Sequence, residues 1–289
     1  VNYNIFYSNF INFSFYIHTN KIQMKQKIIT LVCNKGGVGR STTAQNIGWR
    51  LAELGYNVLV VDLDSQANTS ITLALDYEGQ VIKANKSITD MIETDDGYFS
   101  DYVVSTRHEN LDLLASSWKL DMTENSIRND PSPNTIMKDR FDSVAKAKYD
   151  YIIFDTPPRK TDKFIHNALV MSDYYWYIVG AEDRWSLDAK KIMDSVISQI
   201  TSSYKVKIKP LPVLLTRFRV ANKLSHLVRD ECIKLFDYGM MMQTIRDTTQ
   251  IRKSSAMYKT IFEFDRRTDV AKDYKSATDE LVNVFKKSR

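Results

Sequence analysis

Residues 29–55 read ITLVCNKGGVGRSTTAQNIGWRLAELG, a run with the marks of a strand, a tight turn and a helix. It opens on a short apolar run rich in β-branched residues, the pattern of a buried strand. Glycines at 36, 37 and 39 then remove side chains from a tight turn. An amphipathic helix follows, predicted to begin near Ser41 and to end near Gly55.

A strand, a glycine-rich turn and a helix in that order make a phosphate cradle. Gly36, Gly37 and Gly39 let backbone N–H groups close around phosphate oxygens, while the helix N-terminus aims its free donors and dipole at the same charge. Ser41 is placed to ligate Mg²⁺ through its hydroxyl. The usual P-loop pattern GxxxxGK[ST] fails at two positions, because Asn34 stands at the first glycine and Arg40 at the lysine. An additional lysine, Lys35, directly precedes the glycine pair.

Outward from the cradle, short apolar runs alternate with helical spacing, the mark of parallel βαβ units. Candidate strands are Ile28–Cys33, Val58–Asp62, Leu111–Ala115, Tyr151–Asp155, Tyr174–Val179 and Leu211–Thr216. Near-continuous apolar strands such as VLVV and YIIF imply a sheet covered by helices on both faces, so the expected fold is a doubly wound, mostly parallel α/β sheet of the P-loop NTPase class. The stripe Met193, Val196, Ile197 and Ile200 is expected in the core. No linker or internal repeat divides residues 27–289, which read as one domain, whereas 1–26 read as an N-terminal extension. Residues 1–23 lack the basic start and small-residue cleavage site of a signal peptide. Met24, just ahead of the first strand, is the expected natural start.

The bulk composition is that of an ordinary globular chain of 289 residues, 43% hydrophobic and 26% charged. No run reaches the length of a membrane span. Two cysteines, Cys33 and Cys232, exclude a disulfide framework and read as buried thiols. The net charge of +5 is unevenly spread, with 19 Lys/Arg against 10 Asp/Glu in residues 201–289 and 21 against 25 in residues 1–200. A basic C-terminal third attracts polyanions.

The segment KGGVGRS resembles the deviant Walker A motif KGGxGK[ST] of the ParA/MinD family. The resemblance continues through VLVVDLDSQANTS (58–70), LDLLASS (111–117), YDYIIFDTPP (149–158), IVGAEDRWSL (178–187), LLTRF (214–218) and Ile245–Arg246, in the family's order. It is closest to the short ParA partition proteins. It implies ATP and Mg²⁺ as cofactors, held by Lys35, Gly36, Gly37, Val38, Gly39, Arg40, Ser41 and Thr42. By the same resemblance, Lys35 reaches the partner's nucleotide across an ATP-dependent homodimer, and Asp64 orients the attacking water. Asp155 holds Mg²⁺ through a water molecule, with Ser41, Asp62 and Asp64 in the same metal environment. Arg40 departs from the family lysine, keeping the charge but not the compact shape, and implies slow hydrolysis.

The family's output is non-specific DNA binding, with a cargo-bound ParB-like protein stimulating release and a cytoplasmic, nucleoid-associated location. The segment IRDTTQIRKSSAMYKTI (245–261) resembles the region that contributes to it, so Arg246, Arg252 and Lys253 are candidate DNA contacts, with Arg217, Arg219 and Lys223 added from the basic third. Only 33 residues precede Asn34, too few for a helix-turn-helix module. Two other outputs compete: a MinD-like membrane switch, which needs a detachable amphipathic C-terminus in SATDELVNVFKKSR, and a positioning ATPase for non-DNA cargo. A nitrogenase-type iron protein is rejected, since neither cysteine suits a cluster bridging two subunits.

Overall fold

A computed structural model of the chain describes residues 25–33, 35–74, 86–94, 98–141, 148–158, 163–182 and 190–287. Residues 1–24 of the extension, Asn34 and the 183–187 part of IVGAEDRWSL lie outside the described residues.

The strands are β1 (Lys27–Val32), β2 (Val58–Asp62), β3 (Val103–Ser105), β4 (Leu111–Leu114), β5 (Tyr151–Asp155), β6 (Tyr174–Gly180) and β7 (Lys209–Thr216). They form one sheet in the order β3-β4-β2-β5-β1-β6-β7. All neighbours are parallel except β3 and β4. Every residue of β2, β5 and β6 is buried, as continuous apolar strands require when helices cover both faces.

All six strands read from the sequence are present, two with identical ends and four with one or both ends shifted by one or two residues. The seventh, β3, escaped the reading because three residues carry no usable periodicity. The sequence reading also began the last strand late, at Leu211; β7 starts at Lys209 and includes Pro210 and Pro212. These prolines are tolerated because β7 is an edge strand, where an absent N–H breaks no inner ladder.

The helix after the glycine turn, α1 (Arg40–Glu53), lies against β2. Gly48 sets that distance: a Cβ there would stand 2.8 Å from Val60 Cγ2. Short helices α2 (Asn68–Leu73), α3 (Ile88–Glu93), α4 (Leu120–Ile127) and α5 (Ile136–Arg140) and the longer α6 (Lys163–Met171), α7 (Lys190–Tyr204) and α8 (Lys223–Leu235) follow in chain order. Met193, Ile197 and Ile200 of α7 are buried and Val196 packs against them, as the sequence stripe predicts.

After α9 (Thr249–Ala256) and α10 (Ile261–Phe264), the chain closes on α11 (Asp269–Lys287), which packs on α1. Leu281, Val282 and Phe285, the apolar residues a detachable membrane helix would need, are buried in the core. Phe285 meets the rings of Tyr151 and Tyr174 at centroid distances of 5.9 and 5.0 Å. Among the described residues no helix is long and apolar enough to cross a membrane.

Candidate nucleotide site

In a parallel sheet, ligands gather beyond the carboxyl ends of the strands. Here β1 ends at the glycine turn, β2 at Asp62–Asp64, β5 at Asp155–Pro158 and β7 at Thr216–Arg217. The β2–β5 register sets Asp62 opposite Asp155, and the β1–β5 register sets Leu31 opposite Asp155.

Gly37 and Gly39 have φ of +80° and +84°, left-handed values that a side chain disfavours. Gly39 stands at the start of α1, where no side chain caps the helix and no acidic residue occupies the first turn. The turn is braced from β7. Thr216 Oγ1 donates to Val38 O at 2.5 Å and Arg217 Nη1 donates to Gly37 O at 2.6 Å. Lys35 to Thr42 line a cavity of about 420 Å³ together with Gln45, Asp64, Asn68, Pro158 and Tyr258. A cradle of backbone donors with no acidic residue in the first helical turn fits a phosphate chain.

The acids behind the cradle are engaged with the protein itself. Asp62 is fully buried; its Oδ1 accepts from Asp64 N (3.1 Å) and its Oδ2 from the backbone and hydroxyl of Ser70, both at 2.8 Å. Burial, with Asp155 beside it, pushes the Asp62 carboxyl up to about 7 against those hydrogen bonds. Asp155 is also fully buried; its Oδ2 accepts from Thr69 Oγ1 at 2.7 Å and its Oδ1 from Arg40 Nε at 3.1 Å. Burial raises the Asp155 pKa, while Arg40 and the hydroxyls of Thr69 and Ser41 pull it back.

Arg40 is 6% exposed, and its guanidinium fills the space between three groups. Besides Asp155, its Nη2 lies 3.4 Å from Asp64 Oδ2 and its Nη1 donates to Cys33 Sγ. Burial works against this charge, but Cys33, Asp155 and Asp64 outweigh it and raise the pKa. The set Ser41, Asp62, Asp64 and Asp155 therefore comes together as the sequence implies. Each carboxylate oxygen of Asp62, Asp64 and Asp155, however, already accepts from a protein donor, so these acids are not arranged as direct ligands of a divalent ion. Among the described residues no group of three or more His, Cys, Asp or Glu side chains is arranged to hold a metal.

The candidate DNA contacts separate into two kinds. Arg217, Arg246 and Arg252 line a second cavity of about 270 Å³ that shares Gly37, Gly39, Thr42 and Ser255 with the first. Each is paired: Arg217 with Glu182 (2.7 Å), Arg246 with Asp273 (2.7 Å) and Asp269 (3.3 Å), and Arg252 with Asp247 (2.8 Å). Arg219 shares the same Asp247 at 2.6 Å. Lys223 and Lys253 are exposed.

Sequence reasoning missed Thr69 and Ser70, which fasten Asp155 and Asp62, and Thr216, which braces the turn. Thr69 and Ser70 stand in the quoted segment 58–70, where two hydroxyls opening a short helix beside DLD were the available signal. Cys33 as a partner of Arg40 had no sequence signal beyond proximity to the turn.

Fold and site together define a P-loop nucleotide-binding α/β protein. The family model described as an AAA domain (AAA_31) matches residues 26–209, and the chain belongs to that family, in its ParA/MinD branch. It is 28% identical over 256 residues to the sporulation initiation inhibitor protein Soj of Bacillus subtilis, covering 89% of this chain and 98% of Soj. A putative plasmid partition protein of Borrelia burgdorferi bound to AMPPNP superposes with TM-score 0.73 at 24% identity, covering 90% of this chain and 100% of that one. An ATP complex of McdA from Cyanothece superposes with TM-score 0.76 at 17% identity, covering 89% and 97%.

Proposed function

We propose that the chain is a slow, ATP-dependent dimerising switch for partition of DNA, plasmid or chromosome. The observation that carries the reading is the left-handed Gly37/Gly39 turn at the uncapped start of α1, a cradle built for phosphate. The turn and first helical residues take the triphosphate, with the nucleoside in the space beside them. Mg²⁺ is the ion that accompanies ATP in this family and supplies positive charge at the phosphates when bound.

Lys35, exposed at the edge of the turn, serves the nucleotide of the neighbouring subunit, adding positive charge where negative charge develops on the transferred group. Asp64 borders the same cavity and orients the attacking water. Trp118 and Met122 support a self-association face: they are 69% and 64% exposed and flank Leu120 and Asp121, which border a small cleft with Asp64. In the ATP-bound dimer, basic residues including Lys223 and Lys253 bind DNA without base readout. A cargo-bound ParB-like partner stimulates hydrolysis and resets the switch. The likeness to Soj supports this reading over a membrane switch, as does the burial of Leu281, Val282 and Phe285.

Gel filtration with ADP, ATP and a slowly hydrolysed analogue, followed by DNA binding on each fraction, tests switch and output together. A dimer that forms with ATP and alone retains DNA is expected. A chain indifferent to adenine nucleotides overturns the proposal, and a nucleotide-driven dimer that binds anionic liposomes but not DNA replaces its output.

A further inference from the structure

A lysine at position 40 would bring one compact charge to the end of a flexible stem. The arginine brings a planar fork that reaches several acceptors at once. In this chain the fork lies between Asp155, Asp64 and Cys33, with Nε 3.1 Å from Asp155 and Nη2 3.4 Å from Asp64. The other oxygens of these carboxylates also accept from protein donors. Asp155 Oδ2 accepts from Thr69, Asp64 Oδ1 accepts from Gln66 N at 3.0 Å, and both oxygens of Asp62 face the backbone and side chain of residues 64 and 70.

We propose that Arg40 is this chain's own resident cation at the Asp64–Asp155 pair, and that in the nucleotide-free protein it keeps divalent metal out of that site. Two physical arguments support it. A small divalent ion such as Mg²⁺ demands oxygen ligands at about 2.0–2.1 Å in near-octahedral array, and carboxylates already hydrogen-bonded to a guanidinium do not offer them. The guanidinium is weakly hydrated and holds its charge at any ordinary pH, so it tolerates a buried position that a metal reaches only by shedding water. The acids that the family reading assigns to a metal are thus neutralised from within, by the residue at which this sequence departs from the family pattern.

The test uses the full chain without nucleotide, with Mn²⁺ as a paramagnetic probe and Mg²⁺ in thermal melts. The native protein is expected to leave the Mn²⁺ spectrum unchanged and to melt at the same temperature with or without millimolar Mg²⁺. Arg40→Met, close in volume but uncharged, is expected to bind Mn²⁺ at least about tenfold more tightly and to melt higher when Mg²⁺ is added. Adding Asp155→Asn to that variant should abolish the gain, which places the ion at this pair. Should Arg40→Met not fold, Arg40→Lys, which keeps a charge but cannot span both acids, should show the same gain to a smaller extent. Native protein that binds Mn²⁺ as tightly as the variants overturns the proposal, as does a variant that folds and gains no metal binding. Because no nucleotide is present, either result stands independently of whether the chain binds ATP.

Discussion

Arg40 Nε lies 3.1 Å from Oδ1 of Asp155, a carboxylate with no solvent exposure, so the cradle and the end of β5 are joined by a buried ion pair. Buried pairs contribute little net stability, but breaking one strands a charge at a cost of about 3–5 kcal/mol. Arg40 is therefore held on Asp155 and Asp64 until something competes for its guanidinium. Arg40→Lys should loosen that hold and raise steady-state ATP turnover severalfold in a phosphate-release assay. Unchanged or lower turnover would count against a restraining role for the arginine.

Gly39→Ala should weaken nucleotide binding without unfolding the domain. A left-handed residue with a Cβ costs about 1–2 kcal/mol, and Gly39 sits at φ +84°. Titration with a fluorescent ATP analogue should show about a tenfold loss of affinity, with the far-ultraviolet circular dichroism spectrum preserved. Equal affinity in the variant would mean that the turn does not shape the phosphate site.

Gly48→Ala acts on stability alone. The added methyl would meet Val60 Cγ2 at 2.8 Å, so either the Val60 side chain or α1 must shift. Overpacking costs about 1–3 kcal/mol, partly offset by about 1 kcal/mol of helix propensity. A melting temperature lowered by a few degrees, with nucleotide affinity intact, is the expected outcome.

Arg246 and Lys253 should respond differently to replacement by alanine. Arg246 holds Asp273, which is 3% exposed, through two hydrogen bonds of 2.7 and 2.8 Å. Its loss leaves that carboxylate without its charged partner and should cost about 1–3 kcal/mol in chemical denaturation. Lys253→Ala should leave stability within about 0.5 kcal/mol and reduce the salt dependence of DNA binding by about one ion. A stable Arg246→Ala protein that merely loses DNA would contradict the structural role given to this arginine.

Both thiols should be silent towards a disulfide reagent at mildly alkaline pH. Cys232 is buried, and burial with Glu231 nearby pushes its pKa up to about 12, so the reactive thiolate is scarce below that value. Cys33 is 3% exposed and lies beneath Arg40. Labelling should begin only as the protein unfolds, and rapid modification of either cysteine in the native state would be inconsistent with this packing.

The order of apolar runs around the glycine turn was enough to place six of the seven strands and the parallel, two-faced architecture, because continuous burial and helical spacing are local properties of the chain. The glycines and the acids at strand ends were legible for the same reason: a turn that needs positive φ and a ligand end that needs charge leave their marks within a few residues. Which charges meet, by contrast, is settled only when distant segments pack together. Arg40 and Asp155 are 115 residues apart, Arg246 and Asp273 are 27 apart, and whether a basic side chain is spent on a carboxylate or left exposed depends on strand order and helix packing that no local pattern encodes. The sequence named a cationic cradle beside acidic strand ends, and the fold turned that cation onto those acids.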